Sequence, residues 1–544
     1  MLNKMQAFIL TCLILIFMSS QLYCAETIPV RSQKTYGGTL VWGTCHKPEA
    51  LNPIITTGSI SASLFSLIFN QLVRINSRDD VEPDLAQSWD ITDDGLVYTF
   101  HLRKGVKFHD GKECTSADVK FTYDMIVDPA NNSVFRFYFK NVAEFNAVDA
   151  YTFSIKLLKP SVFFIQSLVR PILPKHLFES GLIRNSFFDR HPVGTGPFKF
   201  REWTDDNRII LEYNPAYYEG RPYLDSVVVK VYPDAEALWA GFMRRETDMD
   251  LFIGESNYEI VKDDPSFKSY ASAVDNYYAL MLDVDDPVLK DKVVRRAIAY
   301  AIDKKSLIRY VAKNYGLECP GPFSQRALGA HPDMAQYLYD PRKSQELLAD
   351  AGWKDIDNDL ILEKDGKKLE LRILVDLRND IYRKISQVLR QQLHEIGVKV
   401  SVYLYDNDAM LTRNFLKDIT PQARIELLYA GTDILDHLVM EYWSAAYRNS
   451  ADKLWGYDSD EVTGFFKLVE GAVEKHERQG IYREINRLIC EDQPACFLYT
   501  PMVFHAVSKE FANTDDFFSS TMPVYTIKDW YQNKQSKGGE KKWR

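Results

Sequence analysis

Apolar and polar residues alternate over Val97-Tyr98-Thr99-Phe100-His101-Leu102 and again over Tyr151-Thr152-Phe153-Ser154-Ile155-Lys156-Leu157. A period of two predicts half-buried strands. Thr39-Leu40-Val41-Trp42, behind a Gly37-Gly38 pair, and Ile209-Ile210-Leu211-Glu212-Tyr213 read the same way. Val227-Val228-Val229-Lys230-Val231 is nearly continuous and reads as a strand buried on both faces. Further along, the period lengthens. Val294, Ile298, Ala301, Ile302 and Leu307 recur at helical spacing and predict an amphipathic helix over 294–308. Asp340-Pro341 opens a helix through Leu347, Leu348 and Ala351, and Gly352 stops it. A strand over 369–375, a helix over 382–396 stopped at Gly397 and a strand over 398–404 follow. This order predicts a mixed α/β chain with at least one βαβ-like unit.

The first 25 residues follow another rule. Lys4 precedes an apolar run over 7–18, broken by Thr11 and Cys12, and the small residues Ser19, Ser20, Cys24 and Ala25 come next. A run of about twelve residues is too short to span a bilayer, so residues 1–25 read as a signal peptide. Cys24 is an alternative lipid-attachment site, although Gln21-Leu22-Tyr23 fits that pattern poorly. No later segment reaches spanning length without charges. The mature chain is expected in the periplasm or at the extracytoplasmic face of the membrane.

Composition narrows the function classes. The 544 residues are 46% hydrophobic and 26% charged, enough apolar material for more than one core. A net charge of −9 excludes the electrostatic footprint of a nucleic-acid binder. The 31 Tyr and 31 Phe either fill cores or line a cleft with amphipathic rings. Cys45, Cys114, Cys319, Cys490 and Cys496 form no zinc-knuckle spacing and no dense disulfide framework. They read as small buried hydrophobes, with Cys490–Cys496 or a long-range pair as the alternative bridge. Nucleophile-elbow and zincin motifs are absent, and His394-Glu395 lacks the second histidine. An enzyme is therefore not expected, nor a cofactor or a metal. Gly194-Thr195-Gly196 has no following lysine and is succeeded by Pro197, so it reads as a structural turn rather than a phosphate cradle. The basic stretch 531–544 reads as a flexible tail.

Four distinct stretches stand in order along the chain. The first is Val81-Glu82-Pro83-Asp84-Leu85-Ala86-Gln87-Ser88-Trp89 with Tyr98 through Gly111 and Thr115-Ser116-Ala117-Asp118-Val119. The second is Gly194-Thr195-Gly196-Pro197-Phe198-Lys199-Phe200 with Asn214-Pro215-Ala216-Tyr217-Tyr218. Val294-Arg295-Arg296-Ala297-Ile298-Ala299-Tyr300-Ala301-Ile302-Asp303 is the third, and Leu389 through Val400 the fourth. Together they resemble the extracytoplasmic solute-binding proteins of family 5, the oligopeptide-, dipeptide- and nickel-binding type that serves ABC importers.

The resemblance implies an α/β, two-lobed periplasmic-binding-protein fold of the class II type, with an inserted segment in the first lobe and a ligand cleft between the lobes. Carried onto this chain, 36–57, 194–285 and 505–530 make the first lobe, 58–193 the inserted segment and 286–504 the second lobe. The lobes close by a hinge. The implied function is capture of a short peptide by a monomer and its delivery to the permease subunits of an ABC transporter. Within Gly431-Thr432-Asp433-Ile434-Leu435-Asp436-His437, Asp433 matches the aspartate that pairs with a ligand's α-amino group, and Asp436 is the second acid. A desolvated ammonium needs such a partner. His437 stands where proline is usual and Leu435 where Pro or Gly is common; a solvated acidic loop is the other reading. Thr56, Thr57 and Gly58 match a segment that clamps the peptide backbone by strand-like hydrogen bonds. Tyr277 and Tyr278, through Asp283, match a cleft-facing stretch, and Trp443 would wall a pocket. Because fold does not fix ligand, nickel, haem, an opine, an oligosaccharide or a sensor role are the alternatives.

Overall fold

The computed structural model describes residues 34–533, apart from 57, 79, 162–163, 179–182, 184–186, 324–336, 406–419, 430–441, 445–456, 473 and 519–523. Residues 1–25 with Cys24, and 534–544 of the tail, lie outside the described residues. Among the described residues no helix is long and apolar enough to cross a membrane.

A twelve-stranded sheet runs through the molecule in two halves. In the first half, Thr39–Thr44 lies parallel to Ser226–Val231 on one side and to Met249–Ile253 on the other. Arg208–Tyr213 and Phe198–Trp203 extend the first of these edges antiparallel. In the second half, Glu370–Asp376 is parallel to both Lys399–Tyr405 and Ala423–Tyr429, and Asn276–Leu282 runs antiparallel beside the latter.

The fourteen-residue strand Ala495–Ser508 belongs to both halves. Its beginning pairs with Asn276–Leu282 and its end with Met249–Ile253 and Phe267–Ala273. The chain makes its other crossing beside this strand, between Ala273 and Asn276, where the Val274 N–H donates to the Pro501 carbonyl (3.4 Å). The sequence reading gave 276–285 to the first lobe. The hydrogen bonds of Asn276–Leu282 lie instead with Ala423–Tyr429 and the start of the long strand, in the second half.

Residues 86–157 carry a separate antiparallel sheet, ordered Ala86–Ile91, Val97–Leu102, Thr152–Leu157, Val142–Asp149. Tyr98, Phe100 and Leu102 are buried while Val97, Thr99 and His101 are not, as the alternation predicts. Helix Ser116–Val127, opened by a Thr115–Asp118 capping box, covers that sheet with Tyr123 stacked on Phe145 and Phe153. These rings join Leu40 and Trp42 in one continuous core, so this sheet is welded to the first half rather than tethered.

The second half has a core on each face. Tyr278, Leu280 and Leu282 pack with Ile298, Ile373 and Leu389 on one side; Tyr277, Ala279 and Met281 pack with Trp443, Phe466 and Phe497 on the other. Two covered faces explain the near-continuous apolar sequence of this strand. They also separate Cys490 from Cys496, which sit in opposite cores. All five described cysteines are free thiols, four of them buried.

Helix termini follow their caps. Asp340 accepts the Lys343 N–H (2.9 Å) ahead of Pro341–Asp350, and Gly352 and Gly397 take positive φ where helices stop. The single helix expected over 294–308 is two, Lys292–Tyr300 and Lys304–Val311. Asp303 interrupts it, its carboxylate accepting the Ser306 N–H (3.1 Å) to restart the second. The apolar stripe runs across this break, which is why periodicity alone did not find it. The expected tail also starts later, because Tyr531–Gln532 pairs with Phe511–Ala512.

Candidate functional site

The parallel strands Thr39–Thr44 and Met249–Ile253 point their carboxyl ends into a cleft of about 360 Å³. In open α/β sheets ligands collect at such ends, where chains diverge into loops and helices. Trp42, Gly43 and Thr44 form the floor with Asp250, Leu251 and Phe252, and helices Ser59–Ile68, Ala235–Met243 and Glu255–Val261 form the rim.

Two acids sit on one face of Met249–Ile253 and its approach, with different fates. Asp248 accepts the Val41 N–H (2.9 Å) and ties two strands together. Asp250 is 4% exposed, and burial with no compensating partner pushes its carboxyl up to about 7. Its cross-strand neighbours are Gly43 and Ala506, so small side chains flank it and the carboxyl opens on the cleft.

Next in the chain, Phe252 adopts φ +63°, where the register against the long strand shifts. Left-handed backbone is costly for a bulky residue, and such strain gathers at binding sites. The ring, 55% exposed, lines the cleft and meets His505 edge-on at 5.4 Å. His505 is fully buried against Phe518 as well, and desolvation pulls it down to about 4, so its imidazole is neutral at physiological pH.

Of the residues singled out from sequence, Gly58 is exposed and stands at the N-terminus of Ser59–Ile68, whose Ile60, Ala62 and Ser63 line the cleft. Thr57, Gly431, Asp433 and Asp436 lie outside the described residues. Tyr429, the last residue of the strand preceding the acidic motif, pairs with Asn276 beside the crossing. Tyr277 and Trp443, expected at the cleft, lie in a core of the second half. Both are fully buried and meet through Phe497, at 5.7 and 5.8 Å. Strand alternation turns Tyr278 to the opposite face, 4.9 Å from Tyr499 and edge-on to Tyr382, where it is 5% exposed. Asp250 escaped the sequence reading. Its signal was the pair Asp248 and Asp250, two acids at strand spacing, one just before and one inside the otherwise apolar run Met249-Asp250-Leu251-Phe252-Ile253.

Away from the cleft, the carboxylates of Asp355, Asp357 and Asp359 converge as metal ligands do. The Lys368 ammonium already bonds Asp357 (3.0 Å) and Asp359, an internal cation that offsets part of the group's charge.

The family model for bacterial extracellular solute-binding proteins, family 5 Middle, matches residues 80–452. The chain is 29% identical over 507 residues to the oligopeptide-binding protein AppA of Bacillus subtilis, covering 91% of this chain and 92% of AppA. The structure of that AppA in complex with a nonapeptide superposes with a TM-score of 0.70 at 27% identity, over 92% of this chain and 100% of AppA. DppA from Helicobacter pylori in complex with the peptide STSA gives 0.71 at 25% identity, over 93% and 100%. Heme-binding protein A of Haemophilus influenzae is 28% identical over 70% of this chain and 73% of its own length.

Proposed function

The chain belongs to the bacterial extracellular solute-binding proteins of family 5, and from that premise we propose that it captures short peptides in the cleft and passes them to an ABC permease. It has the two-lobed α/β fold of that family, whose members bind solutes outside the cytoplasm. The observation that carries the peptide reading is a cleft at the carboxyl ends of parallel strands, beside the paired crossings, in a chain similar along nearly its whole length to a peptide receptor. Closure at such crossings would bring a second wall over the ligand and exclude water. We set the lobe boundary at the crossings, between Ala273 and Asn276 and near Thr500-Pro501, because backbone pairing changes sides there. The export signal at 1–25 supports a periplasmic address, with Cys24 as the candidate anchor.

In this reading Asp433 receives the ligand's α-ammonium, Asp436 supports it, and main-chain groups at 56–58 clamp the peptide backbone so that side-chain pockets stay permissive. Asp433→Asn is expected to weaken binding of free-amino peptides by about 1–3 kcal/mol, the worth of a charge-assisted hydrogen bond. Calorimetry with N-acetylated peptides provides the control, since these should bind both proteins alike. Equal affinity of the two proteins for free-amino peptides would remove Asp433 from the site.

The test of the function itself is native mass spectrometry of the purified mature protein, with identification of what it releases. Short peptides support the proposal. Haem is the competing ligand, favoured by the likeness to heme-binding protein A and by the His46 imidazole on the cleft wall. Release of haem, a metal complex or a sugar would keep the receptor and discard the peptide.

A further inference from the structure

We propose that Asp250 is a specificity-determining residue of the first-half wall, pairing with a cationic nitrogen of the bound ligand, an ammonium or a guanidinium. This rests on the peptide-receptor reading and adds a preference that the reading itself does not supply.

The argument starts from what surrounds the carboxyl. Asp250 lies in a strand between Gly43 and Ala506, with more than nine-tenths of its surface covered, yet its side chain borders the cleft. A buried carboxylate normally holds a backbone N–H, as Asp248 does, or a cation. Among the described residues Asp250 holds neither, and burial alone accounts for its raised affinity for protons. The described lining offers no lysine or arginine. Its other titratable groups are Cys45 and His46, on the loop after Thr44, while the helices contribute uncharged groups such as Ser63, Leu238 and Asn257. A nine-tenths-buried acid without a partner among the described residues of the cleft is a costly arrangement for the free protein. A ligand cation would supply the missing charge, and the low polarity of the walls strengthens the pair.

The small neighbours fit the same role. A Cβ on Gly43 would meet Thr247 at 3.0 Å and collide with Leu238, so only glycine fits beside Asp250, and the carboxyl has apolar Leu238 rather than a polar partner on that side. Phe252, two residues on, presents its exposed ring to the same cleft. An aromatic face beside a carboxyl suits a cation with an aliphatic stem, such as a lysine or arginine side chain.

The experiment is isothermal calorimetry of the full mature protein and Asp250→Asn with four peptides: an alanine tetramer, the same tetramer with one lysine, and the N-acetylated form of each. Asn keeps the shape and removes the charge, so the free variant should melt no lower than wild type at pH 7, a check that it folds. If the partner is a basic side chain, wild type binds the lysine peptide roughly ten- to a hundredfold tighter than the alanine peptide, and Asp250→Asn abolishes that advantage. If the partner is the α-ammonium, Asp250→Asn weakens both free-amino peptides by a similar factor and neither acetylated one, which supports the same pairing with its other source. Unchanged affinity of a folded Asp250→Asn for all four peptides overturns the inference while peptide binding stands. Failure of wild type to bind any of them overturns the peptide reading, and this inference with it.

Discussion

Gly196→Ala is expected to destabilise the first half by roughly 3 kcal/mol or more, read as a sharply lower urea midpoint, because a Cβ there would enter backbone rather than a yielding side chain. It would lie 2.5 Å from both the Leu67 oxygen and the Ile68 carbonyl carbon. The Gly196 N–H also donates to the Ile68 carbonyl (2.8 Å), and the Thr195 hydroxyl accepts the Asn70 N–H (3.2 Å). The turn therefore closes the carboxyl end of helix Ser59–Ile68, and it can do so only while the two backbones touch. The same contacts explain why this glycine pair is no anion cradle, since it faces carbonyl oxygens. Gly111→Ala is the comparison. That glycine has φ +93° with open space around it, so alanine costs only about 1 kcal/mol of backbone strain. Tryptophan fluorescence during urea unfolding would measure both, and equal midpoints for the two variants would contradict the close-approach argument.

Arg295→Met is expected to cost about 3–5 kcal/mol, measured as the urea midpoint of the second half. The guanidinium is 5% exposed and donates to the carbonyls of Leu289 (2.7 Å), Lys290 (3.0 Å), Asp492 (2.8 Å) and Gln493 (3.1 Å). One side chain thus staples the approach to helix Lys292–Tyr300 onto the end of helix Lys475–Asp492, just before the chain enters the long strand. Methionine keeps the aliphatic volume and leaves these carbonyls without donors. Arg295→Lys should recover little, because one ammonium cannot reach positions that a planar fork spans. Hydrogen exchange in 475–492 should accelerate in both variants. Full protection in Arg295→Lys would mean that charge, rather than fork geometry, does the stapling.

Local pattern made the secondary structure legible and left its assembly largely hidden. The alternation over 97–102 and the stops at Gly352 and Gly397 involve neighbours in sequence, and the structure has them as expected. The break at Asp303 was written over by an apolar stripe that both helices share. Tyr277 and Trp443 looked like cleft rings because nothing local distinguishes an aromatic in a core from one at its edge; their burial is decided by Phe497, far away in the chain. The lack of a described partner at Asp250 was invisible for the same reason, although the acid itself stood out in an apolar run. Its isolation depends on Gly43 and Ala506, both more than two hundred residues away, which only the sheet order brings beside it. The ordered motifs could identify the family, since they report on the whole chain at once, but they held no information on this position.

The paired crossings also set how the molecule would yield to force. The Thr35 hydroxyl bonds the Gln532 carbonyl (2.8 Å), so residues 35 and 532 lie together on the first half. The second half enters and leaves through Val274 and Pro501, which are themselves in contact. Tension applied at residues 35 and 532 would therefore be borne first by the strands around Thr39–Thr44, while the second half hangs as a closed loop outside the load path. Only after the first half has given way does the pull reach Ala273 and Met502, a backbone pair that must part before the inner loop can be drawn out. Stretched in this way, the protein would rupture in an ordered sequence, outer half before inner.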